Sequence, residues 1–288
     1  KAFWGDELFV DHDYKSKDRR RMLKEEAKKG YFGKVSGGTD FANFYEGELL
    51  LNKFNKNQKI AVFALGSNTP KSNFGWSDMN KFGLDDGGGF WQESDDIEYY
   101  EGNDESEGVP QTLRTGFYLD QKVWKGGRFR LNYTYTDYKV RSQNSSRSQY
   151  FLTDTAYVTD VNSDKTEHYQ KHQVGLKFTQ ELDSSSRLEI EPKINLSKST
   201  KVSYSNTEFL TSDDTLMRFT TIDNNVTATG SDVSTAVRYF KDFKKKNRSL
   251  KARYNLSSVE NSSNGLLNSE DTDAQTSTLI SSVDQKKE

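Results

Sequence analysis

The chain has 288 residues, 41 basic against 43 acidic, with no Cys, three Pro, 20 Gly and an aromatic content of 13%. Absence of Cys excludes a disulfide framework and thiolate metal sites, interspersed and nearly balanced charge argues against a nucleic-acid surface, and 18 Phe, 15 Tyr and 4 Trp argue against wholesale disorder. No apolar run is long enough for a transmembrane helix, yet a mean hydropathy of −0.92 still suits a membrane β-barrel, whose strands need only about five lipid-facing residues in roughly ten.

Residues 1–29 form a charged edge that carries Arg19-Arg20-Arg21 and is interrupted by Glu25 and Glu26. The chain reads as an internal piece of a longer protein, so the lack of a signal peptide says nothing about export. The β region is expected over residues 30–288 and begins with a strand at 31–39. A first hairpin joins 45–54 to 59–67 through a turn at 55–58. Its arms are apolar at both parities (Leu49, Leu50 and Leu51; residues 60–65), which implies cover on both faces.

Three further hairpins test themselves by register, because residues paired across a turn share a face. In the second, Phe117, Leu119 and Val123 match Phe129, Leu131, Tyr133 and Tyr135 if a three-residue loop at 125–127 pairs 124 with 128. In the third, Val174, Leu176 and Phe178 match Leu188, Ile190, Ile194 and Leu196 through an odd-length loop within 182–186. The fourth joins arms of opposite parity: Val233, Val237 and Tyr239 against Leu250, Ala252, Tyr254 and Leu256. Only an even loop reconciles them, and 244–247 supplies it, pairing 237 with 254 and 239 with 252. The opposite faces are polar, as in Arg128, Arg130, Asn132 and Thr134, or Glu189, Glu191, Lys193 and Asn195.

Between these hairpins lie polar stretches of about 45 residues (68–112), about 27 (142–167) and about 34 (199–232). Soluble sandwiches place strands every 8–12 residues, and loops this long are uncommon in compact soluble domains. The expected fold is therefore all-β: a partial antiparallel up-and-down transmembrane β-barrel of about ten strands, with long external loops and short periplasmic turns. A secreted soluble β protein that binds glycans is the rival, in which the apolar faces pack against one another.

Several segments also resemble a known family. Lys28-Lys29-Gly30-Tyr31-Phe32-Gly33-Lys34-Val35, the hairpin end Leu51-Asn52-Lys53-Phe54-Asn55, and Asn73-Phe74-Gly75-Trp76-Ser77-Asp78-Met79 occur in an order similar to the start of outer-membrane β-barrel proteins related to TonB-dependent receptors. The resemblance covers about residues 24–285 and the first half of a 22-stranded barrel. It implies residence in the cell outer membrane, ligand uptake, and partners comprising outer-membrane lipid, a plug domain, the remaining barrel strands, and a TonB complex reached through the plug. It also makes residues 1–29 a remnant of the plug-to-barrel junction, although only Leu23-Lys24-Glu25-Glu26 fits that role. Neither plug nor closing aromatic strand is present in the sequence, so transport is implied for a parent protein. A non-transporting outer-membrane barrel, serving as adhesin or scaffold, is the alternative within the same fold.

Candidate sites are few. His168 and His172 lie four residues apart, which on a strand means roughly 13 Å, too far for one metal ion. His12 is flanked by Asp11 and Asp13 and reads as incidental. Gly87-Gly88-Gly89 lacks the Lys-Ser/Thr of a phosphate loop, and the acidic run at 95–107 lacks calcium-loop spacing. The aromatics Trp76, Phe90, Trp91, Tyr99 and Tyr100 sit in this polar loop region and are the expected ligand contacts. No catalytic constellation, cofactor motif or metal site is expected, and no nucleic-acid partner.

Overall fold

Ten strands pair in chain order, each antiparallel to the next, in a single up-and-down sheet. The structure, a computed structural model, describes residues 29–69, 108–152, 156–245 and 248–287. The strands are β1 (Gly30–Thr39), β2 (Tyr45–Phe54), β3 (Gln58–Ser67), β4 (Val109–Trp124), β5 (Gly127–Phe151), β6 (Ala156–Asp183), β7 (Ser186–Thr211), β8 (Leu216–Asp242), β9 (Ser249–Asp273) and β10 (Leu279–Lys287). The sheet is not closed: among the described residues β1 and β10 are its two edges.

The hairpin at β8–β9 has the expected register, with Val237 opposite Tyr254 and Tyr239 opposite Ala252. The β6–β7 register also keeps even with even, pairing Val174 with Ile194 and Phe178 with Ile190. At β4–β5 the parity is as expected but the partners differ. Lys122, not Trp124, lies opposite Arg128, and Leu119 faces Leu131. The ladder shifts between Lys122 and Trp124, so Val123 is a bulge and the turn tightens to Lys125-Gly126, with Trp124 opposite Gly127. Gly126 has φ +76°, a left-handed value that glycine adopts without steric cost.

A larger correction concerns the loops. The segments 142–167 and 199–232 are strand for most of their length. β5 and β6 run to within a few residues of each other at 151 and 156, and β7 and β8 at 211 and 216. Apolar alternation stops in these stretches because both faces carry mostly polar residues there; the backbone ladder continues. Thr, Ser, Val and Tyr sustain it, along with cross-strand pairs such as Arg141–Asp164 at 2.6 Å and Arg147–Asp160 at 3.1 Å. Such exposed pairs contribute little stability each, but they fix the register. Among the described neighbouring strands, β3 and β4 alone are far apart in sequence, and residues 70–107 between them lie outside the described residues.

Turns are held by carboxylates and amides that accept from the backbone just ahead of them. Asn55 Oδ1 accepts from the amides of Asn57 and Gln58 at 2.9 and 2.8 Å. Asp183 accepts from the Ser185 amide at 2.7 Å, and Asp273 from Thr276 and Gln275 at 2.8 and 3.0 Å. Hydroxyls of Ser186 and Ser185 hold the Asp183 carboxyl far below its ordinary range, and the Thr276 amide does the same, less strongly, for Asp273. A depressed carboxylate pKa contributes stability that is complete above the unfolded value and lost as pH falls through the folded one. Acidification from pH 7 to pH 5 is therefore expected to leave both turns intact. In a carboxyl-carbon shift titration, Asp183 should protonate at lower pH than exposed acids that accept no hydrogen bond.

One glycine is required by a close approach. Gly116 lies between Phe63 and Thr134 in the ladder, and a Cβ there would meet Tyr133 O at 2.2 Å and Phe63 Cζ at 2.5 Å. The phenyl ring of Phe63 belongs to a buried cluster with Leu50, Ala61 and Leu65, against which Tyr118 packs. Gly116→Ala is expected to cost about 1–3 kcal/mol by overpacking, read as a lowered unfolding midpoint.

Candidate functional surface

Because successive side chains alternate in direction, the register assigns every residue of the sheet to one of two faces. On one face the rungs level with residues 129–135 of β5 are predominantly apolar. Leu51, Val62, Phe117, Tyr133, Val174, Ile194 and Val233 form one such continuous row from β2 to β8. Neighbouring rows add Tyr31, Ile60, Leu119, Leu131 and Leu176 on one side, and Val35, Leu49, Tyr135 and Leu196 on the other. From β4 to β9 these rungs contain no Lys, Arg or Asp and a single Glu, Glu260 at the outer rung of β9.

Much of this apolar face is exposed, whereas several charged side chains of the polar face behind it are buried. Leu256 and Tyr254 keep 61% and 66% of their surface, and Leu51, Val62 and Ile194 are also exposed. On the reverse face Arg114 and Asp120 keep only 2% and 5%, and Glu48, Lys171 and Glu189 are buried as well. At a strand spacing of ~4.8 Å and a rise of ~3.3 Å, the apolar band covers on the order of 1,000 Å². Soluble monomers rarely expose more than a few hundred Å² of contiguous apolar surface.

The band has marked borders. On the short-turn side Trp124 packs at 5.8 Å on Phe178 and donates its indole N–H to Gln180 at 2.5 Å. On the other side Tyr133 and Tyr135 stand beside His172, at 6.1 and 4.7 Å between rings. Their hydroxyls lie at this border: the Tyr133 hydroxyl meets His172 Nδ1 in the outermost rung at 2.9 Å, and Tyr135 donates to Asp137 just beyond it at 3.0 Å. Asp137 also takes a hydrogen bond from Gln170 at 2.8 Å and contacts His168 Nε2 at 3.1 Å. His168 and His172 thus serve different partners. Beyond this border both faces are rich in Ser, Thr, Asn and charged residues.

The polar face is organised by ion pairs that the cross-strand register creates. Asp120 binds Arg128, with Nε to Oδ1 at 2.6 Å and a second contact through the guanidinium, and lies 3.4 Å from Arg130 Nε. Arg238 joins Glu191 at 2.6 Å and Glu189 at 3.6 Å, while Lys177 is 3.8 Å from each of these acids. Opposite charges on paired strands stabilise the ladder. The Asp120 pairs escaped the sequence reading because a 124–128 register puts Asp120 across from Asn132, whereas the bulge at Val123 brings it opposite Arg130.

Trp76, Phe90, Trp91, Tyr99 and Tyr100, the expected ligand contacts, lie outside the described residues, as do His12, the triple glycine at 87–89, the acidic run at 95–107 and residues 1–28. Among the described residues no group of three or more His, Cys, Asp or Glu is placed to hold a metal ion. The chain matches no protein-family model and no curated protein.

Proposed function

We propose that this chain is a stretch of outer-membrane β-barrel wall from a receptor of the TonB-dependent kind, taking part in ligand uptake. The carrying observation is the reversal of faces: a predominantly apolar band, with Glu260 and Lys53 its only charged residues among the described strands β2 and β4–β9, lies exposed while Arg114, Asp120, Lys171 and Glu189 behind it are buried. Water on the exposed face would leave that band with no compensating partner, whereas hydrocarbon solvates it, and the polar face then lines the interior. Aromatic borders with polar tips suit the two edges of a hydrocarbon layer.

Strand length fits the same reading. A barrel strand crosses with about 9–11 residues, and on β4 the band together with its Trp124 border runs from residue 115 to residue 124. β6 has 28 residues, so its polar remainder stands outside the hydrocarbon as a wetted wall, which takes over the part expected of external loops. The unpaired backbones of β1 and β10 are intolerable in lipid. They therefore call for partner strands, which the resemblance supplies as the rest of a barrel around a plug.

The test is flotation. The full chain refolded with phosphatidylcholine vesicles is expected to rise with the lipid in a density gradient and to resist extraction by carbonate. A chain that stays in the aqueous fraction as a folded monomer overturns the assignment and favours a soluble sheet protein.

A further inference from the structure

The chain as a whole carries a formal charge of −2, but the charge is not spread evenly over the sheet. On the polar face, the inward positions of β4–β9 in register with residues 128–136 of β5 hold nine Lys or Arg and four Asp or Glu. The four acids are Asp120, Glu189, Glu191 and Asp232, and the first three are already engaged by Arg128, Arg130, Lys177 and Arg238. One rung further toward the short turns, Arg187 and Lys251 add two more cations and Glu181, opposite Arg187, one more acid. The wetted inner wall above this zone is different. There Lys165 is matched by Glu167 at 2.7 Å, and Lys201 approaches the same carboxylate at 3.7 Å.

We infer that the inner wall behind the apolar band is an electropositive surface that selects small polyanionic solutes, those carrying several carboxylate, phosphate or sulfonate groups. The inference rests on the barrel-wall reading for its geometry, because a wall backed by hydrocarbon has low-dielectric material behind its charges. Fields of one sign along such a wall raise the local concentration of the opposite ion. Arg supplies most of these cations, and its planar fork suits carboxylate and phosphate oxygens. The hydroxyl-rich wall above is uncharged on balance and offers no competing site for an anion.

The experiment uses the full chain in a non-ionic detergent and two dyes of similar size, a trisulfonated pyrene and a tricationic aromatic, followed by fluorescence anisotropy. The trianion is expected to bind about tenfold or more tightly than the trication in low salt, and to lose that preference in high salt. Lys251→Glu with Arg253→Glu changes two exposed inward positions and is expected to abolish the preference. Lys139→Glu, on the outward face beyond the band, is expected to leave it unchanged. Equal binding of the two dyes, or a preference untouched by the inward pair of substitutions, overturns the inference. Flotation of the same preparations reads the membrane assignment separately: protein that floats but ignores the trianion defeats only the charge selection, and protein that fails to float defeats the barrel wall.

Discussion

Ile194→Arg is expected to destabilise the lipid-embedded chain by about 2–4 kcal/mol, the cost of an arginine on the lipid face near the bilayer midplane. Ile194 sits in the middle row of the apolar band, between Val174 and Val233, and 37% of its surface is open. The size of the effect separates the two environments. At a water-exposed position the same change would fall within about 0.5 kcal/mol of neutral. The strand itself supplies a control: Lys198, four residues along the same face, already carries a charge just past the aromatic border. Equilibrium urea unfolding in lipid vesicles measures both, and Lys198→Ala should be nearly silent.

Asp120→Ala is expected to cost about 2–3 kcal/mol, because it removes the buried carboxylate that the part-exposed Arg128 and Arg130 guanidiniums share. The carboxylate is 5% exposed and also accepts from the Tyr118 hydroxyl at 3.3 Å. Asp120→Asn keeps the volume and a hydrogen-bond acceptor, so it should lose less than the alanine variant. Replacing Asp120 and both arginines by neutral residues of similar size should recover most of the loss, since the penalty lies in the uncompensated charges rather than in a missing attraction. Thermal unfolding in the same lipid reads all three.

Much of the sheet was legible because turn length and parity constrain each other. The β8–β9 register followed from the mismatch between odd Val237 and even Tyr254, which only an even loop can absorb. The preceding strand at Gly30–Thr39 and both-sided apolarity of β2 and β3 were also legible, and the structure buries Leu50 and Phe63 on one face while leaving Leu51 and Val62 open on the other. What escaped had a physical cause. Alternation of hydrophobicity records contrast between two faces, so it vanishes where β5–β9 run on with polar residues on both faces, and these strands read as loops in the sequence. The β4–β5 register slipped by two residues because a bulge keeps parity while moving every partner, and that slip concealed the Asp120 pairs. With the long connections gone from β5–β8, loop asymmetry no longer supports the membrane reading; the exposed band and its charged reverse face support it instead.

Site-directed spin labelling along β8 is the most direct measurement of which solvent touches the band. Labels at residues 233, 235 and 237 share the outward face, and labels at 234 and 236 share the inward one. In lipid bilayers, collisions with oxygen should dominate at the three odd positions and collisions with a water-soluble nickel chelate at the two even ones, a two-residue oscillation. If the odd positions relax with the aqueous chelate instead, the band faces water and the barrel-wall account is wrong.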